Sequence, residues 1–188
     1  MSHPIIIGLT GRARVGKDTL ADYLCINHGF TRLAFADPLR DALELGLGIE
    51  SHHLREDKES LIPWLGVSGR RLLQTLGTEW GRNLIRQDIW ILLMQRRLAA
   101  LAEEADRFVI SDVRFPNEAD WLRARPNASL WHIERPNVAT VRAHSSEAGI
   151  DYQMGDAILV NTTLEHYFAQ AEIRLADILQ AAAQPEAC

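Results

Sequence analysis

From Ile5 to Leu24 the chain reads IIIGLTGRARVGKDTLADYL, and this run constrains the fold more than any other. Ile5–Leu9 is a short continuous apolar run ended by a glycine-rich stretch, the pattern of a strand buried on both faces. The helical run Thr19–Ile26 follows, with Leu20, Tyr23 and Leu24 on one side. A strand covered on both faces needs parallel neighbours joined by crossover helices, which points to a layered α/β protein. Between strand and helix, Gly11, Gly16 and Lys17 keep the spacing of a phosphate-binding loop, in which backbone N–H groups and a helix N-terminus converge on phosphate oxygens. The alternative is a glycine-rich turn that binds nothing. The usual hydroxyl residue after the lysine is displaced: Asp18 takes that place and Thr19 follows.

The rest of the chain repeats the alternation. Thr31–Phe35 reads as a second strand, and Asp37-Pro38 as N-cap and first-turn proline of a helix. Residues 49–63 look loop-like, followed by helices over Arg70–Leu76 and over Ile89–Ala105, the latter capped by Asp88. Arg107–Asp112, Ser129–Glu134 and Ala157–Val160 read as further strands, with a helix over Pro116–Ala124. A last helix is expected from Thr162, with Glu165 completing a capping box. The expected fold is three-layered α/β with a parallel sheet, as one domain over residues 1–188.

Composition narrows the function. The formal charge is −5, without the overall basic footprint of a duplex-binding protein, so nucleic acid is not an expected partner. Lys17 and Lys58 are the only lysines; every other basic side chain except histidine is arginine, a skew that codon composition explains as well as the suitability of arginine for bidentate phosphate recognition. Cys25 and Cys188 form no metal or redox motif, and Ile5–Leu9 is too short for a membrane span or signal peptide. The chain reads as cytoplasmic, with no membrane partner. Self-association is left open, a homodimer included.

A GTPase needs a lysine-containing base-reading motif, and neither lysine lies in one. A phosphotransferase needs an acceptor site, cations around the transferred group and a means of excluding water. Asp112, at the expected end of the third strand, can hold Mg²⁺ or its water shell, and Arg114 can meet the acceptor phosphate. The alternative is a helix-capping Asp beside a surface Arg. Arg135 and Arg142 follow the fourth strand, either closing over phosphates or lying on a solvated helix face. Arg70, Gln74 and the turn at Gly77-Thr78 recur about one helical turn apart, and Glu79, Arg82 and Arg86 add polar groups to the same stretch. An ordinary amphipathic helix accounts for its leucines but not for this polar density. Trp64, Trp80 and Tyr152 are either core aromatics or stacking surfaces for a base.

The set GRARVGKDT, FADPLRDAL, GRRLLQTLGTEWGR, ISDVRFPNEAD, HSSEAGI and DAILVNTTLE resembles, in this order, the bacteriophage-type deoxynucleoside monophosphate kinases. The resemblance runs from about Ile5 to Leu179. LLQTLGTEWGR and SDVRFPNEA are its most specific elements. It implies a P-loop nucleoside-monophosphate-kinase fold with a central five-stranded parallel sheet, an acceptor-binding insertion over about 36–88 and a lid over about 135–156. It also implies ATP as donor, Mg²⁺ as cofactor and a deoxynucleoside 5′-monophosphate as acceptor. Gly11, Arg12, Ala13, Arg14, Val15, Gly16, Lys17, Asp18 and Thr19 would then cradle ATP, with Asn161 near the adenine. Asp37, Arg40, Arg70, Gln74, Thr78 and Arg82 would line the acceptor site, with Glu147 and Tyr152 beside it. For His144 and Glu147 a local structural hydrogen bond is an equal reading. Asp18 is expected to engage the metal's water shell or a nearby arginine, or merely to stabilise the first helical turn. Two rivals stand: a small P-loop kinase with another acceptor, such as a modified base in DNA or a non-nucleotide, and a nucleotide-binding regulatory protein without turnover.

Overall fold

The computed structural model describes residues 3–136 and 149–183. Arg142, His144 and Glu147 lie outside the described residues. The chain divides into two compact units, Met1–Ala34 with Ala100–Cys188, and Phe35–Ala99.

The first unit is built on a five-stranded sheet of β1 (Ile5–Thr10), β2 (Thr31–Leu33), β3 (Arg107–Ile110), β4 (Ala128–Glu134) and β5 (Ala157–Val160). The order is β2-β3-β1-β4-β5, and every pairing is parallel. β1 is therefore central, and its Ile6, Ile7 and Leu9 are buried, as expected where helices cover both faces. On one face, α1 (Lys17–His28) and α7 (Leu164–Ala183) bury Leu20, Leu24, Tyr167 and Leu175 against Ile7, Leu9, Val109, Trp131 and Leu159. On the other, α6 (Pro116–Arg123) approaches so closely that a Cβ at Gly8 would run into Leu122.

The second unit comprises α2 (Asp37–Leu47), α3 (Ser51–Arg55), α4 (Gly69–Gln74), an eleven-residue π-helix (Thr75–Ile85) and α5 (Ile89–Leu101), whose last two residues fall in the first unit. Leu43, Ile49, Leu54 and Ile62 form its small core, with Leu72, Leu73 and Leu76 packed against it.

Several expectations are corrected. Asp37 is not the cap of α2 but its first residue, after Ala36, and its carboxylate accepts from Arg40 Nη1 at 2.9 Å. Residues 49–63 contain the short helix α3 rather than loop alone. There is no turn at Gly77-Thr78: α4 widens there into the π-helix. Gly81 permits this, because a side chain at that position would strike the Trp90 ring. The Trp90 indole N–H in turn donates to the Gly77 carbonyl at 2.8 Å. β2 and β3 stop before Ala34 and Ser111, where the chain turns. The cap of α7 is Thr163, whose hydroxyl accepts the His166 N–H at 3.3 Å, and not a Thr162–Glu165 box.

Among the described residues, no helix is long and apolar enough to cross a membrane.

Candidate active site

Parallel strands deliver their C-terminal ends to one edge of a sheet, which is where α/β proteins gather ligands. Here the loop after β1 lies between the ends of β3 and β4, on the central strand. α1 begins at Lys17, so the N–H groups of its first turn have no partner within the helix and point toward the loop. Gly16 sits at φ 106°, and a side chain there would collide with the Asn161 amide. Arg14 holds φ 65° without being glycine, a backbone strain of about 1 kcal/mol that tends to persist at functional loops.

Two buried groups fix this loop from below. The Asn161 side-chain amide donates to the Val15 carbonyl at 2.8 Å, and the Tyr167 hydroxyl donates to the Gly16 carbonyl at 3.2 Å. Burial pushes the Tyr167 phenol well above its ordinary pKa, so it stays a donor at any physiological pH. Above the loop, the Lys17 ammonium donates to the carbonyls of Gly11 and Arg12 at 2.7 and 2.8 Å. The cation is thus held across its own loop.

A cleft of about 410 Å³ opens here, lined by Arg14, Gly16, Lys17, Asp18, Thr19, Arg135, Asn161, Thr162 and Leu164. Arg135, predicted from sequence to close over phosphates, therefore shares the cleft with Lys17. A smaller cavity of about 40 Å³ is bounded by Gly11, Arg12, Ala13, Lys17, Arg114 and Gly149, among others. Glu118, almost fully buried, presents Arg114: its carboxylate accepts the backbone N–H groups of Arg114 and Phe115 at 2.8 and 3.1 Å. Sequence reasoning missed this role. The signal was a glutamate at the third position of a proline-started helix, without the Ser or Thr cap that usually announces such a box.

Asp18 lines the cleft, and its carboxylate accepts a hydrogen bond from Arg32 of β2. Asp112 is buried in the turn that follows β3 and lines neither cavity. No cluster of three or more His, Cys, Asp or Glu side chains suited to a metal occurs among the described residues. What the first unit offers is hard oxygen donors, the Thr19 hydroxyl in the cleft and the Asp112 carboxylate. Such a sparse set fits Mg²⁺, which keeps waters and substrate phosphate oxygens as ligands, and does not fit a structural transition metal.

Of the predicted acceptor residues, Asp37, Arg40, Arg70, Gln74, Thr78 and Arg82 lie in the second unit. Asp37 and Arg40 form a half-buried ion pair at 2.9 Å. Arg40 Nε is buried without a hydrogen-bond partner among the described residues. Arg70 pairs with Glu59 at 2.5 Å. Gln74 and Thr78 are half-buried on α4 and the π-helix. Arg82 is buried, and its guanidinium donates to the Gln87 carbonyl at 3.0 Å. Tyr152, in the first unit, is exposed and lies 5.7 Å from the His132 ring. That ring contacts Asp156 at 2.9 Å, and Asp156 also binds Arg123 at 2.7 Å and the Gln153 N–H at 2.9 Å. Burial alone would raise the Asp156 pKa. The hydrogen bonds from Arg123, the Gln153 amide and His132 outweigh it and hold the carboxyl below its ordinary value.

Comparison with known proteins bears on the same segments. The profile of a family described as deoxynucleotide monophosphate kinase matches residues 64–170. A protein of Acanthamoeba polyphaga mimivirus, provisionally named deoxynucleotide monophosphate kinase, is 32% identical over 188 residues, covering 88% of this chain and 93% of its own. The deoxynucleoside-5′-monophosphate kinase of Escherichia phage T5 is 41% identical over 114 residues, 57% of this chain and 45% of its own. Among solved structures, a sugar kinase from Janibacter sp. HTCC2649 superposes with a TM-score of 0.52 at 15% identity, over 97% of this chain and 99% of its own. At that identity the likeness establishes the fold alone.

Proposed function

Because the chain belongs to the deoxynucleotide monophosphate kinase family, we propose that it transfers the γ-phosphoryl group of ATP to a deoxynucleoside 5′-monophosphate, releasing ADP and a deoxynucleoside diphosphate. The observation that carries this reading is the cleft over the glycine loop, where Arg14, Lys17 and Arg135 converge beside the first turn of α1. Its size and charge suit a polyphosphate.

The transfer is direct. The acceptor's phosphate oxygen attacks the γ-phosphorus as its bond to the β-phosphate oxygen breaks, and ADP leaves. Lys17 and the first-turn N–H groups neutralise the donor phosphates. Arg114 and Arg135, with Arg142, stabilise the equatorial oxygens of the group in transit. Thr19, which lines the cleft, would hold Mg²⁺ and Asp112 its water shell, and the ion would supply further charge neutralisation when bound. A monophosphate is already ionised near neutrality, so the site has no need of a strong general base. Residues 36–88, with Asp37, Arg40, Arg70, Gln74 and Thr78, are assigned to the acceptor, and 135–156 to exclusion of water over the donor. Arg82 supports that region from within, given its bond to Gln87.

The test is ADP formation from ATP with each deoxynucleoside monophosphate in turn, against single-stranded DNA and non-nucleotide acceptors. ADP should appear only with a deoxynucleoside monophosphate and vanish in Lys17→Ala with the fold retained. ADP formation independent of any such acceptor, or near-normal turnover of K17A, contradicts the assignment.

A further inference from the structure

The cleft assigned to the donor is lined by three cations, yet one carboxylate, Asp18, faces the same space with its side chain largely exposed. A carboxylate in the first helical turn and a bound phosphate compete for the same partial positive charge of the helix N-terminus. Left alone, Asp18 would oppose a polyphosphate.

It is not left alone. Arg32 stands in the middle of the short edge strand β2, between Thr31 and Leu33. Its guanidinium is used on three sides. Nη2 donates to Asp18, Nη1 donates to Asp22 at 2.9 Å, and Nε donates to the Ser111 hydroxyl at 3.3 Å. Ser111 immediately precedes Asp112. One planar fork thus joins the first turns of α1 to the turn that carries Asp112, a geometry that a lysine could not reproduce.

We propose that Arg32 is a positioning residue for the donor: it holds the Asp18 carboxylate back toward β2 and offsets its charge, so that the cleft accepts a polyphosphate. The inference rests on the reading of the cleft as the donor site. It also gives the unusual Asp after the loop lysine a defined place, as the arm by which the loop's helix is tied to the neighbouring strand.

The experiment is calorimetric titration with ADP in metal-free buffer containing EDTA, which reads donor-site binding without turnover. R32Q should bind ADP about tenfold more weakly, the scale set by one uncompensated charge near a surface site. Adding D18N to R32Q should restore affinity to within about threefold of the parent. R32Q/D22N has the same net charge, but Asp22 does not line the cleft, so it should remain weak. Equal rescue by D18N and D22N would reduce the effect to overall charge and overturn the proposal. Rescue by neither, or parental affinity in R32Q, would also overturn it. Should R32Q not fold, R32K replaces it: partial weakening relieved by D18N is expected, and identical affinity with and without D18N is the overturning result. Failure of the parent to bind ADP at all would instead strike the donor-site reading beneath the proposal.

Discussion

Replacing Asn161 with alanine tests how far the loop's shape depends on what lies beneath it. Asn161 is buried, and its amide donates to the Val15 carbonyl at 2.8 Å. Val15 is itself 3% exposed, so its carbonyl depends on this donor. A buried acceptor left unsatisfied costs about 1–3 kcal/mol, and we expect a loss of about 2 kcal/mol for this substitution. For a chain of this size that corresponds to a melting temperature lower by about 4–8 °C. Urea denaturation followed by far-UV circular dichroism, with a parallel thermal scan, gives both quantities. Asn161→Asp sharpens the test, because it keeps the shape and turns a donor into a carboxylate facing a carbonyl. In the folded protein that carboxyl's pKa must rise, since only the protonated form can donate. Its stability relative to the parent should therefore be best in acid and fall as pH rises through the folded pKa of that carboxyl. If Asn161→Ala unfolds within about 0.5 kcal/mol of the parent, the bond to Val15 contributes nothing and the reasoning fails.

The companion contact predicts a smaller effect: Tyr167→Phe removes the donor to Gly16 and should cost about 1 kcal/mol, read from the same urea midpoints. Asp156→Asn should lower stability at neutral pH by about 2 kcal/mol through weakened bonds to Arg123 and His132. The Asp156 pKa is depressed in the fold, so its contribution is present above the unfolded carboxylate value of about 4 and is lost as pH falls through the folded one. Parent and variant should accordingly converge in acid, and a constant gap from pH 7 to pH 3 would contradict that origin. Gly81→Ala should destabilise by about 1–3 kcal/mol because the added methyl meets the Trp90 ring, and Trp90 emission should shift with it.

The sheet could be read from sequence because each strand is an apolar run too short for a helix, and because helices separate the runs. The glycine loop could be read because its chemistry sits in seven consecutive residues, from Gly11 to Lys17. What could not be read depends on partners remote in sequence. Asn161 meets Val15 across 146 positions, and Arg32 meets Ser111 across 79. Only the parallel register of β2 and β3 brings the latter pair together. The π-helix was illegible for another reason. Its apolar spacing suits an α-helix equally well, and the close fit of Gly81 against the Trp90 ring is a packing contact that spacing does not announce. The caps of α2 and α7 went astray by a single residue, since adjacent candidates, Ala36 or Asp37 and Thr162 or Thr163, compete for one position.

The sheet's two outer strands carry a consequence for how copies of this chain can meet. β2 has three residues and β5 has four, while the longer strands β1 and β4 lie inside. An exposed strand recruits another chain by offering a row of unused N–H and C=O groups, and these margins are too short to offer much of one. Pairing by strand addition is thus disfavoured at both borders. A dimer of this protein is better made through helical or loop surfaces, and the same brevity guards against edge-to-edge aggregation.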